Sequence, residues 1–362
     1  MNADGAAATD PVAAATDSVA AATDSVGAEA VLDVTGLDVS AGDTDLLHDV
    51  SFAIAAGERV GLIGESGSGK SLTALSVMGL LGEGLAATGD VRLAGHGGNL
   101  LERTAAEMAP VRGDDMTMVF QEPMTALNPT MRVGAQVAEV IRLHRDVGRA
   151  AASRQAVAVL EDVGLDDAAS LARAYPHQLS GGQRQRVVVA IALACDPVLL
   201  LCDEPTTALD VKVQALVLDL IVRGVEARNA ALLFITHDLA VVAAVCERVL
   251  VMYGGRIVEA GPVSEVFADP RHRYTQGLLA ASDLSSPAAG HGGSGGRQPL
   301  PTIEGVVPAA GQFPSGCVFR NRCPHASSAC EVQPPWTVRA AHPAGDAAYG
   351  FACFHPVGDG DE

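Results

Sequence analysis

The chain has 362 residues, 48% of them apolar and only 4% aromatic, enough for a substantial core in one large domain or two modest ones. Its formal net charge of −19 excludes general affinity for nucleic acid or anionic lipid, but not docking onto a membrane protein. No uncharged apolar run reaches the roughly 18 residues needed to span a bilayer; the longest, Val187 to Cys195, ends at Asp196.

The first Lys or Arg is Arg59, so the N-terminus lacks the basic region of a signal peptide and a cytoplasmic location is expected. The cysteines are then expected as thiols or metal ligands, not disulfides. Residues 1–30 carry three near-identical heptads, Ala6–Val12, Ala13–Val19 and Ala20–Val26, each reading AAATD(P/S)V. Thr-Asp-Pro/Ser in every unit favours turns and local caps, so a disordered tail is expected.

The folded part is expected to begin near Val31. β-Rich segments run over Val31–Val39, Val50–Ile54 and Arg59–Ile63, then Met116–Phe120, Val198–Cys202, Ala231–Ile235 and Arg248–Met252. Helical patterns lie between them, notably Ser71–Leu81, Gly181–Cys195 and Val211–Arg228. Apolar strands alternating with helices predict an α/β fold with a largely parallel sheet covered on both faces. From Gln121 to Tyr175 the pattern turns mostly helical. Residues 284–300, rich in Gly, Ser and Pro, read as a flexible linker, and residues 301–362 as a small cysteine-bearing extension.

Gly64-Glu65-Ser66-Gly67-Ser68-Gly69-Lys70-Ser71 matches GxxxxGK[ST] and follows the apolar strand Val60–Ile63. Glycines there let backbone N–H groups turn inward around phosphates, and the next helix presents its positive end. Lys70, one of only two lysines (the other is Lys212), is expected to reach the β- and γ-phosphates, with the Ser71 hydroxyl on Mg²⁺. Asp203 closes a buried strand and can hold Mg²⁺; Glu204 follows as the base or polarising group for water. Gln121, after the strand Met116–Phe120, can contact both Mg²⁺ and water. His237, after Ala231–Ile235, is expected to contact the γ-phosphate and position the water.

These motifs, with Leu179-Ser180-Gly181-Gly182-Gln183 upstream of the acidic pair and Ala208-Leu209-Asp210 downstream, resemble the ATPase subunits of ATP-binding-cassette (ABC) machines. The resemblance covers residues 31–283. It implies a P-loop NTPase core, an antiparallel β subdomain and a helical subdomain inserted at about 121–175. It further implies a head-to-tail dimer, in which Ser180, Gly181, Gly182 and Gln183 of one subunit close over ATP held by Lys70 and Ser71 of the other, with Asp210 in a dimer-contact loop. One departure stands out. The family carries an aromatic residue for adenine near the end of the first strand, where this chain has Val39-Ser40-Ala41, so another side chain or the partner subunit is expected to cover the base.

Gln121–Pro129, Tyr175-Pro176-His177-Gln178, Glu204–Asp210, Tyr274–Leu279 and Gly316-Cys317-Val318-Phe319-Arg320-Asn321-Arg322-Cys323-Pro324 resemble the oligopeptide, dipeptide and nickel importer branch. That branch implies a subunit on the cytoplasmic face of the membrane, bound to two permeases and paired with a second, homologous ATPase. An extracytoplasmic binding protein would select a peptide, or a nickel or other metal chelate as the alternative cargo. Cys317, Cys323, Cys330 and Cys353 lie in a Pro-rich, weakly apolar segment with little core of its own, which invites a metal. Resemblance to peptide-importer ATPases suggests a [4Fe–4S] cluster, with Zn²⁺ second and free thiols third. Cys195, Cys202 and Cys246 are expected as packing residues.

Overall fold

In the computed structural model, residues 30–121, 126–207, 209–282, 302–339 and 349–358 are described. The N-terminal heptads, the 284–300 linker and Ala208 lie outside them. Two sheets organise the chain. The smaller is antiparallel, in the order β2-β1-β4, from β1 (Ala30–Ala41), β2 (Thr44–Ala55) and β4 (Leu85–Leu93). β1 and β4 meet at two glycines: a Cβ on Gly89 would stand 2.4 Å from the Gly36 carbonyl oxygen, and the register slips between Thr35 and Asp38. Only glycines tolerate this close approach.

The larger sheet runs β10-β11-β9-β8-β3-β7-β6-β5. Its parallel part is β8 (Arg248–Tyr253), β3 (Arg59–Ile63), β7 (Ala231–Ile235), β6 (Leu199–Asp203) and β5 (Met116–Val119). Every residue of β5, β6, β7 and β8 is buried. That explains their unbroken apolar runs: helices cover both faces, so no position alternates outward. The covering helices include α1 (Lys70–Val77), α4 (Gly181–Leu193), α5 (Val211–Arg228) and α6 (Leu239–Val245), while α2 (Val133–His144) and α3 (Arg149–Asp162) form the helical insertion. α1 is shorter than the sequence pattern suggests, stopping where Gly79 takes a positive φ of 61°.

The C-terminal extension departs from the expectation of a weakly cored appendage. β9 (Arg256–Pro262) pairs antiparallel with β8 and with β11 (Tyr349–Phe351), and β10 (Thr337–Arg339) closes the edge. Cys317, Val318, Phe319, Cys330 and Tyr349 belong to the same buried cluster as the parallel strands and helical insertion, and Trp336 joins the second core. Glu259, fully buried in β9, accepts hydrogen bonds from the Tyr349 hydroxyl (2.6 Å) and from the backbone N–H groups of Arg271 and His272 (2.6 and 3.1 Å). The extension thus shares the central sheet and its core.

Candidate nucleotide site

The parallel strands deliver their chemistry at one edge. Beyond β3, Gly64, Gly67 and Gly69 take positive φ angles (151°, 79° and 108°), and a Cβ on Gly64 would stand 2.1 Å from the Met252 carbonyl oxygen. α1 then begins at Lys70 with Gly69 at its N-cap and no side-chain cap, so its first amides are available to an anion. The Lys70 ammonium donates to the carbonyls of Gly64 (2.7 Å) and Glu65 (2.9 Å) and lies 3.4 Å from Ser68 Oγ. Burial lowers its pKa, opposed by the charges of Glu204, Asp203 and Glu65.

Glu204, just past β6, has φ 47°. A left-handed non-glycine residue costs of order 1–3 kcal/mol and persists where its surroundings hold it. Three side chains do so here. Its Oε1 lies 3.0 Å from His237 Nδ1, and its Oε2 accepts from Thr207 Oγ1 (2.9 Å) and Gln121 Nε2 (3.3 Å). Burial pushes this carboxyl up, but the hydrogen bonds from His237 and Thr207, with the charges of His237 and Lys70, leave it below its ordinary pKa. It is therefore ionised and aimed, as a base or water-polarising group must be.

Asp203 is buried; desolvation raises its pKa, a hydrogen bond from Ser71 opposes this, and its Oδ1 has no hydrogen-bond partner. A buried, orphaned carboxylate oxygen beside a serine hydroxyl, at the mouth of a phosphate loop, fits the hard oxygen donor set of Mg²⁺.

Lys70, Ser71, Ser66, Gly67, Gly69, Gln121 and Glu204 line one cavity of about 310 Å³. Leu46, His48, Ala310 and Phe313 also line it. Ala310 and Phe313 come from the C-terminal extension, and no local sequence signal marks them. Among the described lining residues Phe313 carries the one Phe, Tyr or Trp ring, in a pocket whose first strand lacks an aromatic. The Glu65 side chain does not line it; it is bound by Arg322.

The signature segment lies elsewhere on the surface. Ser180 caps α4, accepting from Gln183 N–H (3.2 Å), while Gln183 Oε1 accepts from Ser180 N–H (2.9 Å). This capping box leaves Gly181 and Gly182 in the first turn. None of the four lines the phosphate-loop cavity. Asp210 is likewise outside it and caps α5, accepting from the N–H groups of Lys212 and Val213 (both 3.1 Å).

The tail thiols interact electrostatically with one another: Cys323, Cys330 and Cys353 all raise the pKa of Cys317, though desolvation is the larger cause and takes it to about 11. Yet no group of three or more His, Cys, Asp or Glu among the described residues is placed to hold a metal ion. The expectation of a [4Fe–4S] cluster or Zn²⁺ is therefore not supported by this geometry: Cys317 and Cys330 are buried in the apolar core and Cys323 packs against it. Cys195, Cys202 and Cys246 are buried.

Comparison with known proteins decides the family. The ABC transporter family matches residues 47–207, and the "oligopeptide/dipeptide transporter, C-terminal region" matches residues 258–330. A putative peptide import ATP-binding protein of Brucella melitensis is 46% identical over 316 residues, covering 85% of this chain and 93% of that protein. The chain belongs to the ABC transporter ATPases. Among its ABC relatives, the oligopeptide transport ATP-binding protein OppD of Escherichia coli is 44% identical, over 85% of this chain and 90% of that protein. The probable D,D-dipeptide transport ATP-binding protein DdpD of E. coli is 43% identical, over 91% and 97%. The ATP-binding cassette MJ0796, solved as a dimer in a post-hydrolysis state with ADP and Pi, superposes with a TM-score of 0.57 at 27% identity, covering 64% of this chain and 98% of that one. As an ABC ATPase, the chain is an ATP-hydrolysing enzyme.

Proposed function

We propose that this chain energises a peptide importer by hydrolysing ATP at the cavity between Lys70 and Glu204. The observation that carries the reading is Glu204, held in place by His237, Thr207 and Gln121 and kept ionised by His237, Thr207 and Lys70, in a chain that also carries the oligopeptide-type extension. The triphosphate would lie along Gly64, Glu65, Ser66, Gly67, Ser68, Gly69 and Lys70, against the uncapped start of α1. Lys70 would exchange its loop carbonyls for β- and γ-phosphate oxygens. Phe313 and Leu46 would take the base in place of the missing first-strand aromatic. Ser71, Asp203 and Gln121 would hold Mg²⁺, which when bound neutralises charge on the phosphate oxygens. Glu204 polarises the attacking water and His237 keeps it aligned, giving ADP and phosphate.

Ser180, Gly181, Gly182 and Gln183 lie off this cavity, which supports a head-to-tail partner whose capped helix completes the anion site from outside, with Asp210 in the contact loop. No helix among the described residues is long and apolar enough to cross a membrane. The kinship with peptide import ATP-binding proteins supports a place at the cytoplasmic face, on two permease subunits beside a second homologous ATPase, with an extracytoplasmic binding protein choosing cargo. A [4Fe–4S] cluster or Zn²⁺ is not part of this reading. Reconstitution of the chain with the membrane proteins that co-purify with it tests the function. Peptide uptake that depends on ATP supports it; uptake of nickel chelates and not peptides would change the cargo, and ATPase activity with no membrane partner would remove the transport role.

A further inference from the structure

Arg322, in the extension, spans the chain to grip the phosphate loop. Its side chain is 5% exposed, and its Nη1 and Nη2 lie 2.5 Å and 3.2 Å from Glu65 Oε2 and Oε1, a two-pronged guanidinium–carboxylate pair. The remaining donors are also used: Nε donates to the Glu304 carbonyl (3.0 Å), and Nη1 reaches the Tyr253 hydroxyl (3.3 Å). The guanidinium lies 5.8 Å from the Tyr253 ring centroid and 6.0 Å from that of Phe319. Tyr274 holds the same loop residue by its backbone, its hydroxyl accepting from Glu65 N–H (2.7 Å). Glu65 in turn offers its carbonyl to Lys70 Nζ (2.9 Å) and to Ser68 N–H (3.2 Å).

A continuous set of polar contacts therefore runs from the extension, through both the side chain and the backbone of Glu65, to the ammonium that faces the cavity. We propose that Arg322 is a positioning residue for the nucleotide site: through Glu65 the C-terminal extension fixes the phosphate loop in its binding shape. Arg322 does not line the cavity and touches no part of it directly. The pair's effect is conformational. Without the fork, the Glu65 carboxylate is released beside the loop, and the peptide that orients Lys70 loses one of its two outside holds. The reverse linkage follows, since sites that share an element shift each other by the same factor: nucleotide in the loop stabilises the docked extension.

The inference rests on the phosphate loop being the ATP site, and the experiment separates the two. ATP affinity, KM and kcat are measured on the full chain as wild type, Arg322→Gln, Arg322→Lys, Glu65→Gln and the Arg322→Gln/Glu65→Gln double variant, each checked for an intact melting transition. Arg322→Gln raises the ATP Kd and KM about tenfold, as expected for a lost charge-assisted pair, with kcat changed far less. Arg322→Lys recovers part of the affinity. The double variant is no weaker than the worse single one, because both substitutions remove the same contact. ATP slows proteolysis of the extension in wild type more than in Arg322→Gln. Folded Arg322→Gln with wild-type Kd and KM overturns the proposal, as do two single effects that multiply independently. If Arg322→Gln fails to fold, Glu65→Gln and Arg322→Lys still report the coupling. A wild type that binds no ATP defeats the site reading itself.

Discussion

Glu204 Oε1 stands 3.0 Å from His237 Nδ1, joining the ends of two adjacent parallel strands, β6 and β7, in one hydrogen bond. The contact holds the carboxylate of a residue whose backbone is left-handed (φ 47°) and helps keep it charged. Replacing Glu204 by Gln preserves shape and removes the charge that polarises water. The expected result is a kcat lower by about 10²–10⁴-fold, the range for loss of a positioned base, with ATP still bound and closed dimers accumulating. Single-turnover hydrolysis and sedimentation with ATP report the two effects; turnover at the wild-type rate would remove Glu204 from the chemistry.

His237→Ala acts on the same pair from the other side. It strips the largest of the interactions that hold the Glu204 carboxyl below its ordinary pKa, and the exposed imidazole carries little packing. Stability should therefore change little while kcat falls by about tenfold or more. Equal losses of melting temperature and activity would mean that the histidine is a structural cap.

The convergence of Lys70, Ser71, Gln121, Asp203, Glu204 and His237 was legible in the sequence because each closes or follows a short apolar strand. In a parallel sheet with both faces covered, the C-terminal ends of the strands are where polar side chains can emerge together. Phe313, Tyr274 and Arg322 were not legible in that way. Arg322 meets Glu65 across 257 residues, and Tyr274 meets it across 209, and no periodicity encodes such separations. The antiparallel β4, LAATGDVRL, was missed because it is half exposed and interrupted by glycine, which blurs the alternation of a strand. The extension read as core-poor because its apolar residues are few; they are buried in a core shared with the rest of the chain.

Phe313→Ala should weaken nucleotide binding while leaving the chemical step nearly intact. A base resting on an aromatic ring gains about 1–3 kcal/mol, so KM for ATP should rise by about tenfold, with the triphosphate contacts unaffected. Adenosine nucleotides should lose more than free inorganic triphosphate does in competition assays. An unchanged KM would place the base against Leu46 or against the partner subunit.

His272 makes the junction of α7 (Arg273–Ser282) with the sheet sensitive to acid. The ring is wholly buried, burial alone depresses its pKa to about 3, and its Nδ1 accepts from Tyr274 N–H (3.1 Å). A folded value below the unfolded one means that the unfolded chain takes up the proton first. The stabilising effect is full above about pH 6.5 and declines as pH falls toward 3, by about 2 kcal/mol at pH 5. Neighbouring Glu259 opposes it, since burial raises that carboxyl. The informative quantity is therefore the difference between wild type and His272→Gln. Melting curves from pH 7.5 to 4.5 should show a shallower acid loss in the variant, and parallel curves would assign the acid sensitivity to other groups.

Thiol labelling distinguishes packed cysteines from a loaded metal site. Burial holds Cys246 up at about 12, raises Cys202 further and takes Cys317 to about 11, so none of these is an appreciable thiolate near neutral pH. Cys323 and Cys353 are half-buried and less hindered, though their thiols are also raised by burial. At pH 8 the native protein should therefore label at Cys323 and Cys353 first, slowly, with Cys317 and Cys330 lagging. Cys202 and Cys246 should label only on unfolding, and raising the pH should speed the half-buried pair first. If all four tail cysteines instead resist labelling together and become reactive together when iron or zinc is removed by chelation, they form a closed tetrathiolate site. The extension would then owe part of its docking against β9 to bound metal and not to its apolar contacts alone.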